Sequence, residues 1–347
     1  MTSTSPPRLI WRRLGVKRVL TAGLILALAA GGTLWRAKAR EADAIAAYPP
    51  LGSFVTVDGQ QLHLLDLGQP TPRPDGLPAD AAAPDLVLIH GASGHIRDMT
   101  FRLAPALSSR FRVIIVDRPG LGYSDPTGGA QASLSKQAAI IRQAVAALGA
   151  EHPIVLGQSY GGGVALAWAL DAPDSLSALV TVGAVSHPWR TPLSTFYKVT
   201  SSPLGQRLAV PLLTAYVPES TIRDTLTEVF APQAVPAGYF EHFGPGLTLR
   251  RSALRANARQ RADLLAEIRA MAPRYGDLSL PIEAVHGSAD TTVGLDLHAR
   301  QLERDVPSLN LTVLDGVGHM PHQVATDAVV AAVDRAAARA ATARNLR

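Results

Sequence analysis

Six short runs of near-continuous apolar residues constrain this chain more than any other feature: 86–89, 113–116, 154–156, 178–182, 282–285 and 311–314. Runs this short, apolar at successive positions, read as strands buried on both faces. Helical patterns separate most of them. The clearest is Leu134, Ala138, Ile141, Val145 and Leu148, at spacings of three and four, stopped by Gly149. Strands alternating with helices imply an α/β fold, a parallel sheet covered by helices. Ahead of it, the β-rich runs 53–57 and 61–67 bracket Asp58-Gly59, a hairpin signal. Residues 69–84 hold five prolines and are expected to form a surface loop. From 186 to 274 no buried strand pattern occurs and aromatic residues accumulate. This interval is expected to be a mostly helical insertion over one end of the sheet. Its Trp189, Phe196, Tyr197, Tyr216, Phe230, Tyr239, Phe240 and Phe243 could line an apolar pocket or form the insertion's own core.

With 47% hydrophobic and 18% charged residues in 347, the chain has ample material for a core, which excludes a disordered protein. It has no cysteine, which excludes disulfides, thiolate zinc sites and cysteine nucleophiles. The net charge of +5 is localised. Residues 1–40 hold eight of the 33 basic residues and no acidic one, so the rest carry 25 basic against 28 acidic. Such a body has no electrostatic reason to seek nucleic acid.

Inside that basic segment, 17 uncharged residues separate Arg18 from Arg36. As a helix they would reach about 25 Å, the short end of a bilayer span. Trp11 and Trp35 flank the run as interfacial aromatics do. Five basic residues precede it and three follow, which favours the N-terminus inside and the body outside the cytoplasm. A cleaved export signal is the rival, since Ala27-Leu28-Ala29 and Ala37-Lys38-Ala39 are small-x-small sites. Arg12-Arg13 loosely matches a twin-arginine signal, although Gly15 sits where a bulky apolar residue is expected.

Four motifs carry the chemistry. Gly157-Gln158-Ser159-Tyr160-Gly161 lies between a strand and a helical pattern beginning at Gly162. A serine at such a turn exposes its hydroxyl above the sheet, and small neighbours are needed because backbone approaches closely. A nucleophilic serine needs a base, and the base needs an orienting carboxylate. His319, in the loop after the last apolar run, and Asp290, in the loop after the run before it, suit those roles, and Ser159, Asp290, His319 is the order expected at the carboxyl ends of parallel strands. Other candidates are weighed against them. His322 is expected to be a surface or supporting group on the next helix, His286 a packed core histidine, and Asp315 a residue that fixes its own loop. In His90-Gly91-Ala92-Ser93-Gly94, Gly91 lets the chain turn so that the Ala92 and Tyr160 N–H groups would form an oxyanion hole, with His90 ordering the loop. In the run 117–125, DRPGLGYSD, Pro119 and two glycines make a rigid turn, and Asp117–Arg118 is expected to be a structural ion pair.

HGASG, DRPGLGYSD, GQSYG, HGSAD and GVGHMPH, in this order and spacing, resemble the α/β-hydrolase superfamily over residues 53–340. The resemblance implies an eight-stranded, mostly parallel sheet whose second strand is antiparallel, with a lid after the sixth strand. It carries the nucleophile, acid and base roles onto Ser159, Asp290 and His319. Relatives that dehalogenate or open epoxides have Asp at the nucleophile position, where this chain has Ser159. The joining of a membrane segment to the run 48–55, YPPLGSFV, is similar to bacterial hydrolases. The expected organisation is a basic segment (1–18), a transmembrane helix or signal (19–35), a linker (36–52), and a core (53–185 and 275–347) interrupted by the lid (186–274). The expected function is a carboxylesterase-like serine hydrolase of a bacterial inner membrane, acting on a small apolar ester and needing no metal or organic cofactor. The same triad could cleave amides or C–C bonds or transfer acyl groups. A binding protein on a catalytically dead hydrolase fold is the alternative outside catalysis.

Overall fold

The apolar runs assemble into one eight-stranded sheet in the order β1-β2-β4-β3-β5-β6-β7-β8. The strands are β1 Ser53–Val57, β2 Gln60–Asp66, β3 Asp85–Ile89, β4 Arg112–Val116, β5 Ile154–Gln158, β6 Ala178–Val182, β7 Ile282–Gly287 and β8 Leu309–Leu314. These coordinates come from a computed structural model, which describes residues 8–70, 84–127 and 132–345. Most of the proline-rich loop expected at 69–84, namely 71–83, and the side chains of Trp11, Arg12 and Arg13, lie outside the described residues.

Strand β2 runs antiparallel to both β1 and β4, and every other pairing is parallel. The β1–β2 turn places Asp58 and Gly59 at φ 49° and 77°, the double positive φ of a tight primed turn. Thirteen α-helices are described: α1 Arg8–Ala47, α2 Ile96–Phe101, α3 Leu103–Leu107, α4 Leu134–Ala147, α5 Tyr160–Asp171, α6 Thr195–Ser201, α7 Pro203–Tyr216, α8 Glu219–Phe230, α9 Tyr239–Phe243, α10 Arg251–Met271, α11 Ala299–Asp305, α12 Pro321–Val324 and α13 Thr326–Asn345.

Alternation along each strand divides the core in two. Val87, Ile89, Ile114, Val116, Val155 and Leu179 face a cluster with α4 and α5. Leu86, Leu88, Val113, Ile115, Leu156 and Val180 face one with α3 and α13. Burial on both faces is why these strands are continuously apolar. Glu283, a charged residue inside β7, is fully buried. It accepts from Arg335 Nε and Arg339 Nη1, both at 2.8 Å, and from Asn310 Nδ2 at 2.9 Å, which pins α13 to the sheet.

Between β6 and β7 stand five helices, α6 to α10, where no strand pattern was expected. The N-terminal helix departs from the reading at its C-terminal end. It does not stop at Trp35 but continues to Ala47, so most of the expected linker is helix. Two contacts explain the extension. Glu41 pairs bidentately with Arg251 of α10, at 2.8 and 2.7 Å, and Arg36 and Arg40 donate to Ala215 O and Val217 O at the end of α7. Ala37 and Ala44 are buried there, whereas Val19, Leu20, Leu24, Ile25, Leu26 and Leu28 are exposed.

Glu283→Ala should lower the unfolding free energy by about 3 kcal/mol, the low end for a broken buried ion pair, because Arg335 and Arg339 still reach solvent. Urea titration followed by circular dichroism checks this, and Glu283→Gln should lose less because it keeps an acceptor.

Candidate active site

Ser159 sits between β5 and α5 with φ 53° and ψ −117°, a conformation costing about 1–3 kcal/mol for a residue with a side chain. The fold holds it there by close backbone approach. A Cβ on Gly157 would collide with Gly161 O, and one on Gly161 with Ile89 O. Ser159 N donates to Val182 O at 2.9 Å, tying the turn to β6. The helix begins at Tyr160, two residues before the sequence pattern suggested, so the Tyr160 N–H is a first-turn donor with no intrahelical acceptor.

The structure brings Ser159, His319 and Asp290 together. His319 Nε2 is 2.9 Å from Ser159 Oγ, and His319 Nδ1 is 2.7 Å from Asp290 Oδ2. The carboxylate requires the proton on Nδ1, which leaves Nε2 as the acceptor for the serine hydroxyl. Asp290 Oδ1 accepts from Thr292 N and Val293 N, both at 2.8 Å. Burial alone would push this carboxyl up. Its contacts with His286 and His319 and the Val293 N–H outweigh burial and hold it well below the usual carboxylate range. The two loops are also joined through their backbones, Ala289 N to Val317 O and Ser288 N to Leu314 O, each 2.9 Å.

The rival residues take other roles. His286 is buried and its Nε2 donates to Val293 O at 2.7 Å. Asp315 accepts from Ser288 Oγ at 3.1 Å, between the two loops. His322 is not at the surface. It is completely buried, with Nε2 3.2 Å from both oxygens of Asp98. The short helix α12 turns inward against α2 rather than outward.

The loop at 90–94 abuts the serine. A Cβ on Gly91 would stand 3.1 Å from Ser159 Cβ and would collide with Gln158 Oε1. Ala92, in the turn beside it, packs on the core cluster of α4 and α5. His90 orders this loop: Nδ1 donates to Gly91 O and Nε2 accepts from Arg118 N, both at 2.9 Å. Burial, with the Arg118 cation adding to it, holds its pKa down to about 3, so the ring is neutral.

The expected Asp117–Arg118 ion pair does not form, because the strand end sends the two side chains to different clusters. Asp117 takes His63 Nδ1 at 2.7 Å, Ile96 N at 2.7 Å and Tyr123 N at 2.8 Å. Arg118, fully buried, donates to His90 O, Gly91 O, Gln137 Oε1 and Gln260 Oε1 at 2.7–3.0 Å and lies over the Tyr160 ring. Burial lowers its pKa to about 10, still charged at neutral pH. Two supporting residues were not found from sequence. Asn257 of α10 binds Ser93 N and Ser93 Oγ at 2.9 Å, and Gln260 of the same helix holds Arg118 and donates to Pro119 O. Both sit in a helix whose local pattern gives no sign of partners some 140–165 positions away.

Of the insertion's aromatics, Phe230, Tyr239 and Phe243 form a buried cluster with Met320, and Phe196 and Tyr216 are exposed. Tyr239 Oη donates to Asp98 Oδ1 at 2.8 Å. Asp98 thus joins the insertion, α2 and the segment after His319 at one buried carboxylate.

A family model described as the alpha/beta hydrolase fold matches residues 84–211. The chain is 29% identical over 271 residues to the magnesium-chelatase 30 kDa subunit of Rhodobacter capsulatus, across 72% of this chain and 84% of that protein. A stretch of 101 residues is 43% identical to the pimeloyl-(acyl-carrier protein) methyl ester esterase of Aeromonas hydrophila, spanning 29% of this chain and 38% of that protein. Among solved structures, an alpha/beta hydrolase fold protein from Burkholderia ambifaria matches at TM-score 0.66 and 23% identity, covering 82% of this chain and 97% of that one. The chain has the α/β-hydrolase fold, and over residues 84–211 its sequence matches that family's model.

Burial pushes the Asp98 carboxyl up, but His322, Tyr239 and Gln323 overcome it and hold the pKa at about 2, against an ordinary 3.8. A depressed folded pKa adds stability that is complete above the unfolded value and is lost as pH falls through about 2. Between pH 7 and pH 2 the wild type should therefore lose about 2 kcal/mol more stability than Asp98→Asn. Urea unfolding at the two pH values checks it.

Proposed function

We propose that the chain is a serine hydrolase of carboxylic esters, anchored to a membrane by α1, with α6 to α10 as its lid. The observation that carries the chemistry is the continuous relay Asp290–His319–Ser159, at 2.7 and 2.9 Å, beneath a strained serine turn. In this reading Ser159 Oγ attacks the ester carbonyl as its proton passes to His319 Nε2. Asp290 holds the imidazole in the tautomer that can accept and stabilises the imidazolium. The Ala92 and Tyr160 N–H groups receive the oxyanion, helped by the buried Arg118 cation behind the same loop. His319 then protonates the departing alkoxide, leaving an acyl-serine. Water, deprotonated by His319, attacks that ester, and the carboxylic acid departs. An ester substrate is supported by the methyl ester esterase among the relatives.

Ser159→Ala should abolish ester turnover and labelling by a fluorophosphonate probe without unfolding the protein. Asp290→Asn should cut kcat about 10⁴-fold by favouring the wrong tautomer, while Asp315→Asn leaves turnover near wild type. A severe loss in Asp315→Asn with activity kept in Asp290→Asn would overturn the assignment of the acid.

For the anchor, the carrying observation is that the apolar helix Lys17–Ala47 is exposed throughout its most apolar window. The full chain should sediment with membranes and resist release by high salt, because hydrocarbon burial is not screened by ions. Release by salt alone would replace the span with a surface-charge association.

A further inference from the structure

The exposed large apolar side chains are unevenly distributed. Nine lie on α1 and six on α6 and α7, and only Leu51, Phe54 and Leu67 lie elsewhere among the described residues. The six are Phe196, Val199, Leu204, Leu208, Leu212 and Tyr216. Leu204, Leu208, Leu212 and Tyr216 are spaced by four and fall on one side of α7. The opposite side, with Gln206, Val210 and Thr214, is buried. There Gln206 O accepts from Arg255 of α10, and its Oε1 from Arg259. The fold therefore gives α7 its own buried stripe and leaves a second apolar stripe uncovered.

That second stripe ends where the apolar part of α1 leaves the body. Tyr216 Oη is 3.2 Å from Thr33 Oγ1, and the Arg36 guanidinium lies over the Tyr216 ring. From Gly32 back to Val19 α1 is exposed and largely apolar. The two apolar surfaces are thus continuous. Their charge agrees as well: residues 175–218 contain no Asp or Glu, and Lys198 and Arg207 are exposed beside the stripe. Basic side chains bordering an apolar helix face match a bilayer surface bearing anionic lipids.

We propose that the outer face of α6 and α7 is a second membrane contact, lying on the same bilayer that α1 enters. This rests on the reading of α1 as an anchor and deepens it. The consequence is positional. Helix α7 packs on α10, whose Asn257 and Gln260 hold the loop beside Ser159. A bilayer against α7 therefore lies beside the helix that braces the loops next to the serine, and the substrates this placement favours are esters dispersed in the lipid phase.

The chain lacks cysteine, so single labels can be placed without background. Full-length Leu24→Cys, Leu208→Cys, Leu212→Cys and Ala147→Cys, each carrying an NBD fluorophore, are reconstituted into phosphatidylethanolamine/phosphatidylglycerol vesicles with or without acyl-chain doxyl lipid. Labels at positions 24, 208 and 212 should be quenched by doxyl lipid and the label at 147, on exposed α4 surface, should not. Quenching at 24 but not at 208 or 212 would overturn this proposal and leave the anchor standing. No quenching at 24 would overturn the anchor itself. Emission from 208 and 212 that is indifferent to doxyl lipid but changes with protein density would assign the face to a second copy, and the proposal fails. In a second arm, Leu208→Gln/Leu212→Gln should lose turnover of a long-chain ester held in vesicles while keeping turnover of a water-soluble acetate ester. Equal losses on both substrates would overturn the positional role.

Discussion

Everything at the candidate site depends on a backbone turn too tight for ordinary side chains. Ser159 can hold φ 53° only because Gly157 and Gly161 let β5, α5 and β3 approach within distances that a methyl group would forbid. The strain is offset by burying the surrounding strands and by the Ser159 N–H to Val182 O bond. In return the hydroxyl stands at the carboxyl edge of the sheet, beside the first donor of α5. The loops after β3, β7 and β8 leave the same edge, and this is what brings residues 91, 290 and 319 to position 159.

Loops leaving one edge still need to be held, and here buried polar groups do it. Among the described residues Arg118 has no carboxylate partner; its guanidinium is satisfied by two loop carbonyls and two glutamine side chains. A charge kept this way stiffens the loop at 90–94 and stands directly behind the site. Asp98 does the converse, gathering donors from the insertion and from the segment after His319. Each is costly to leave unpaired, so each fixes a single arrangement of the segments it joins.

The N-terminal helix follows a different rule. An apolar run between basic residues is legible from hydropathy alone as a helix long and apolar enough to cross a bilayer, because that depends on no other part of the chain. Its extension to Ala47 is not legible that way. Residues 36–47 are polar enough to read as a linker, and they are helical because Glu41, Arg36 and Arg40 find partners on α7 and α10.

The same division runs through the whole molecule. The strands, the hairpin and the candidate residues Ser159, Asp290 and His319 could be read in the chain, since strand burial, turn chemistry and the nucleophile motif are local patterns of adjacent residues, whereas the antiparallel second strand was implied by the family resemblance alone. The bonds of His322 to Asp98, of Arg118 to Gln260 and of Asn257 to Ser93 could not. Nor could the failure of Asp117 to pair with Arg118, where adjacency in sequence misled. Neighbours on a strand end point apart, and a buried polar side chain is bound by whatever the packing of distant elements brings within 3 Å. Local pattern decided which elements form and where chemistry can stand; only the packed fold decided which partner each buried group meets.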